Sequence, residues 1–117
     1  MATILVAEDE DSIRKLMEMI LVSAGYRVLT AANGVEEVAL YRSYTTQIDL
    51  VITDLNMPVL DGYQAVLLIH ETKPDAKIIC MTGYAGQPVP DCTKFLAKPF
   101  TPPELVQCVA ESLRGGS

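Results

Sequence analysis

Histidine is almost missing from this chain, with one copy at position 70, and cysteine occurs only at positions 80, 92 and 108. A single histidine cannot pair with a second to hold a metal, so His70 is expected to be an ordinary surface residue. The three cysteines are odd in number and lack the close pairing of a zinc or redox motif, which predicts reduced thiols in a cytoplasm. Cys80 is expected in the core, Cys92 and Cys108 at the surface. No apolar stretch approaches the roughly 18 residues of a membrane helix, and no basic segment precedes the apolar run near Met1, so a soluble, unexported protein without membrane insertion is expected. Basic side chains are also scarce: nine against fifteen acidic ones give a net charge of −6. That balance disfavours direct contact with nucleic acid or anionic lipid and suits a divalent cation or a basic partner surface. Gly-x-Gly-x-x-Gly and Walker loops are both missing, which disfavours a nucleotide- or flavin-binding domain.

What is present is ordinary globular material, half hydrophobic and 21% charged, in a length of 117 residues that fits one domain over 1–117. No repeat, low-complexity segment or linker interrupts it. Gly115, Gly116 and Ser117 read as a fraying end or as an artificial addition. Short apolar runs at Thr3–Ala7, Tyr26–Ala31, Leu50–Thr53, Ala76–Met81 and Phe95–Ala97 predict five strands. Helical patterns separate them. Ile13, Leu16, Met17, Ile20, Leu21 and Ala24 form an inward stripe that Gly25 ends, Asn33 with Glu36 resembles a capping box, and Gly62 to Glu71 makes a third helix. Thr101, Pro102, Pro103 and Glu104 start the last one, with Leu105, Val109 and Leu113 on its apolar side. Strands alternating with helices predict an α/β, doubly wound parallel sheet covered on both faces.

In a parallel sheet every strand's carboxyl end lies on one edge, where open α/β sheets bind their ligands. Glu8 and Asp9, Asp54, Thr82 and Lys98 follow the first, third, fourth and fifth strands, so they should converge. Three carboxylates together must take up protons or bind a cation, and an all-oxygen site without His or Cys suits magnesium. A carboxylate nucleophile beside a metal, a lysine and a hydroxyl suits phosphoryl transfer, in which three equatorial oxygens need neutralising: magnesium takes one, Lys98 another and Thr82 the third.

The order Glu8-Asp9, Asp54 within Asp-Leu-Asn-Met-Pro-Val-Leu-Asp-Gly, Met81-Thr82-Gly83 and Lys98-Pro99-Phe100 resembles the receiver domain of two-component response regulators, across essentially the whole chain. The resemblance implies a CheY-like, flavodoxin-like sheet of order 2-1-3-4-5 and a phosphorelay signalling switch. Asp54 would be the phosphoacceptor. Asp9, Asp54 and the Asn56 backbone carbonyl would hold magnesium (or manganese), with Glu8 acting through water. Lys98 would pair with the phosphoryl group, and Thr82 would follow it, coupled to rotation of Phe95. Asn56 and Tyr84 would tune the lifetime of the acyl phosphate, and the Lys98–Pro99 bond would be cis. The donor would be a sensor histidine kinase or a histidine phosphotransfer protein, no separate substrate turnover is expected, and the residues name no downstream protein target.

The chain departs from the family pattern in two places. Glu8 stands where many members have Asp, and Ala85 to Thr93 carries Gly86, Pro88 and Pro90, so the family's fourth helix is expected to be short or missing. The runner-up is a phosphatase or phosphotransferase of similar fold using an aspartyl phosphate. Such enzymes want an acid two residues after the nucleophile, where this chain has Asn56.

Overall fold

The computed structural model describes residues 1–57, 60–83 and 92–114. Pro58, Val59, Tyr84, most of the Ala85 to Thr93 segment and the Gly-Gly-Ser tail lie outside them. Five strands, β1 (Thr3–Ala7), β2 (Arg27–Ala31), β3 (Leu50–Asp54), β4 (Ile78–Thr82) and β5 (Lys94–Ala97), form one parallel sheet of order β2-β1-β3-β4-β5. Four helices accompany them among the described residues: α1 (Asp11–Ser23), α2 (Gly34–Ser43), α3 (Gly62–Thr72) and α4 (Pro102–Leu113). None is long and apolar enough to cross a membrane.

Alternation along the strands builds two cores. Ile4, Val6, Leu50, Ile52, Ile79 and Met81 face α1 and α4, meeting Met17, Leu21, Leu105 and Val109. Leu5, Ala7, Val51, Ile78 and Cys80 face α2 and α3, meeting Tyr41, Val66 and Ile69. Because β1 and β3 are buried at every position, they need apolar residues on both sides, which is why they read as unbroken runs.

The helix ends follow their sequences closely. Gly25 takes φ +99° after α1, a left-handed conformation that favours glycine. Thr101 and Glu104 form a reciprocal capping box before α4. At α2 the box is displaced by one residue: Asn33 accepts from the Glu36 amide at 2.9 Å, but Glu36 Oε1 accepts from the Ala32 amide at 2.8 Å.

Several expectations are corrected. Leu16 and Ala24 are exposed, because the buried stripe of α1 runs through Met17 and Leu21. His70 is half-buried, its Nε2 3.2 Å from the Ala76 carbonyl. Cys108 is buried against the α1/α4 core. Cys80 lies in the core as expected, yet it is joined to Cys92 in a disulfide, so two of the three thiols are not free. Adjacency of β4 to the approach to β5 brings these two residues together, and cysteine spacing along the chain does not encode that adjacency.

Candidate functional site: an acidic cluster at the strand ends

β3 stops at Asp54, and the chain turns back sharply: the Gly62 amide donates to the Leu55 carbonyl at 3.3 Å. A methyl group at position 62 would overlap the Asp54 carbonyl, so glycine is required by close approach rather than by its torsion angles. Gly34 is constrained in the same way at the start of α2, where its amide donates to the Leu60 carbonyl and an added Cβ would overlap that oxygen. Asp61 caps α3 by accepting from the Gln64 amide at 3.0 Å. The carboxylate of Asp54 is thereby fixed at the sheet edge, almost fully buried, with Oδ1 accepting from the Asn56 amide at 3.0 Å.

Lys98, one residue beyond β5, reaches across the edge. Its Nζ donates to Asp54 Oδ2 at 2.8 Å and to Glu8 Oε1 at 2.7 Å, joining β5 to β3 and β1. The Lys98 amide also donates to the Thr82 carbonyl at 2.9 Å, which holds the end of β4 beside it. The Lys98–Pro99 bond is cis. Glu8 is wholly buried and its second oxygen accepts from the Glu10 amide at 3.0 Å. Ligand oxygens of Glu8, Asp9 and Asp54 all lie within 4.8 Å of one another.

Three carboxylates face one ammonium, a net charge of −2 when all four ionise. At 4.8 Å each acid pair repels by about 3.5 kcal/mol at an effective dielectric near 20. Burial pushes the Glu8 carboxyl above its ordinary value, opposed by its hydrogen bonds to Lys98 and the Glu10 amide and reinforced by the charge of Asp54. Burial alone would lower the Lys98 amine, but its bonds to Asp54 and Glu8 outweigh that and hold it above its usual value. The set has spare negative charge, oxygen donors only, and one open side at Asp9. This matches a hard divalent cation that keeps much of its water.

Sequence reasoning brings together Glu8, Asp9, Asp54 and Lys98, and the structure places all four in one cluster. Thr82 ends β4, one position past Met81, the register partner of Asp54, and is half-buried. Phe95 is 52% exposed on β5, pointing away from the α1/α4 core. Tyr84 lies outside the described residues. Glu37 is the residue that the sequence reading missed: wholly buried under α2, it accepts at 2.9 Å from Oγ1 of Thr53, the residue before Asp54 in β3. Its position between Gly34 and Tyr41 at helical spacing was the available signal.

The sequence profile of the response regulator receiver domain matches residues 4–110. The chain belongs to the response regulator receiver family. This receiver is 37% identical over 118 residues to the sensor kinase CckA of Brucella abortus, covering 96% of this chain but 12% of that protein. It is 34% identical to the response regulator receiver protein CpdR of the same organism, covering 97% of this chain and 98% of that one. Its structure matches a chain in the CheX–CheY–BeF3–magnesium complex of Borrelia burgdorferi with a TM-score of 0.89 at 26% identity, covering 94% of this receiver and 87% of that chain. The CheY-like, flavodoxin-like strand order is the one expected from the sequence.

Proposed function

We propose that this receiver, spanning 1–117 as one domain, is a phosphoacceptor switch that takes a phosphoryl group onto Asp54 from a phosphohistidine of a sensor histidine kinase or histidine phosphotransfer protein. The observation that carries it is the Lys98 amine bound at once to Asp54 and Glu8, beside Asp9, at the shared edge of three strands. A carboxylate oxygen of Asp54 attacks phosphorus, an O–P bond forms, the N–P bond breaks, and its electron pair returns to the donor imidazole. Lys98 already sits against Asp54, so its ammonium is in place to follow charge onto the transferred oxygens.

Asp9, Asp54 and the Asn56 backbone carbonyl would hold magnesium or manganese, with Glu8 acting through water. When bound, the ion supplies electrostatic stabilisation of charge on the phosphoryl oxygens. The Borrelia complex, which contains magnesium and BeF3, supports this reading. Thr82 follows the phosphoryl group through its hydroxyl, coupled to rotation of the ring of Phe95. Asn56 and Tyr84 flank the approach of hydrolytic water and set the lifetime of the acyl phosphate. Asn56 offers no acid for turnover of an external phosphoester, which favours a switch over a phosphatase. A cytoplasmic setting follows from the kinase donor.

Acetyl phosphate with magnesium tests the reading. Wild type is expected to incorporate one phosphoryl group, while Asp54→Asn incorporates none. Equal labelling of the two proteins overturns the assignment.

A further inference from the structure

The disulfide between Cys80 and Cys92 takes no role in phosphoryl transfer. Its Cα atoms are 6.1 Å apart, within the range that disulfides span. The two strands it serves are already tied together. β4 and β5 pair from Ile79↔Lys94 to Thr82↔Ala97, the Thr93 amide donates to the Ile78 carbonyl at 2.7 Å, and the Ile78 amide donates to Thr93 Oγ1 at 3.1 Å. The bridge therefore repeats a connection that the backbone supplies. Disulfides in a reducing compartment are generally transient, catalytic or sensing rather than structural.

Position and access distinguish its two sulfurs. Cys80 is wholly buried in the α2/α3 core, paired in register with Thr53, the neighbour of Asp54, and two residues before Thr82. Cys92 is half-buried and lines a groove of about 470 Å³ with His70, Pro74, Asp75, Ala76 and Thr93. A thiol approaching from solvent therefore meets Cys92 first. Cys108 is buried on the opposite face of the sheet, so the third thiol of the chain cannot resolve the bridge.

We propose that Cys80–Cys92 is a reversible thiol–disulfide exchange site, opened by a dithiol reductant through the groove at Cys92, and that its state sets how far Thr82 moves when Asp54 is phosphorylated. The second half rests on the switch reading; the first rests on it only for the reducing compartment. In the exchange a reductant thiolate attacks Cys92 Sγ, the bond to Cys80 breaks, and its electron pair leaves on Cys80 sulfur, which takes up a proton. The reductant's second thiolate then attacks its own sulfur in the mixed disulfide and releases Cys92 as a thiolate, which is protonated in turn. Two electrons and two protons pass to the protein, and the reductant is left as a disulfide. In the bridged state a covalent ring of residues 80–92 holds Thr82 from both sides. Reduction opens that ring and leaves the pairing of β4 with β5 in place.

The test uses full-length protein purified without reductant, then equilibrated in graded dithiothreitol buffers. Alkylation and mass spectrometry report the thiols, and amide hydrogen exchange at Thr82 reports the response to beryllofluoride with magnesium. One free thiol in the oxidised protein and three in the reduced one, under native conditions with a single midpoint, is expected. The change in exchange at Thr82 is expected to be about fivefold larger in the reduced protein. Cys92→Ser should show the reduced response at Thr82 in every buffer, and Cys108→Ser should keep the wild-type midpoint while passing from no free thiols to two; if Cys92→Ser does not fold, reduced wild type carries the comparison. Three free thiols that oxidant cannot pair, or a bridge that resists native reduction, overturns the exchange site. A reversible bridge with equal responses at Thr82 overturns the coupling. Loss of acetyl phosphate labelling in both redox states instead sinks the switch reading and leaves the thiol titration standing.

Discussion

Replacing Glu37 with glutamine should make the receiver more stable at alkaline pH and less stable at acid pH than wild type. Glu37 is fully enclosed, one oxygen accepts from Thr53, and the other has no partner among the described residues. Burial pushes its pKa from 4.5 up to about 8, against the pull of the Thr53 hydrogen bond. The folded protein thus keeps a proton that the unfolded chain releases near pH 4.5. Between those limits the folded state holds one more proton than the unfolded state, so unfolding free energy falls by about 1.4 kcal/mol for each pH unit. The stabilisation is complete below pH 4.5 and lost as pH rises through about 8, a total of roughly 5 kcal/mol as an upper bound. Glutamine cannot ionise, and it still accepts from Thr53, but its amide brings an extra buried donor at a cost of about 1 kcal/mol. Urea unfolding across this window should therefore give stability curves that cross, with Glu37→Gln gaining on wild type until about pH 8 and running parallel above it. Glu8 titrates in the same direction in both proteins, so the difference between them isolates Glu37. A constant difference at all pH values would refute the reasoning.

Other changes probe the site and its frame. Lys98→Ala strands two buried carboxylates, so it should cost roughly 3 kcal/mol in urea unfolding, and magnesium should raise the Tm of this variant more than that of wild type. An equal magnesium effect would separate the lysine from the acid cluster. Gly62→Ala forces a methyl group into the Asp54 carbonyl and should cost roughly 1–3 kcal/mol while slowing acetyl phosphate labelling. Thr101→Ala removes half of the capping box that starts α4, so it should cost about 1 kcal/mol of stability in urea unfolding.

The strands and the convergence of Glu8, Asp9, Asp54 and Lys98 were readable because each depends on local signals: a buried strand needs a short apolar run, and parallel pairing alone sends successive strand ends to one edge. The cap at Thr101 is equally local. Glu37 was not read because an acid in a helix looks solvated until its neighbours at 34, 38 and 41 are seen to face inward. The Cys80–Cys92 bridge depends on which strands are adjacent, a property of the folded sheet. Phe95 was expected to rotate between positions, and its exposed placement follows from β5 being the sheet edge, where the α2/α3 layer does not reach.

Lys98 meets partners 90 and 44 positions earlier in the chain. The cluster of Lys98 with Glu8 and Asp54 is thus complete only once β5 has docked beside β4. A fragment lacking that strand would carry Asp54 without the Lys98 ammonium beside it. Under the phosphoacceptor reading, competence to receive a signal becomes a report on completed folding of this domain, built into contacts that span 90 positions of sequence.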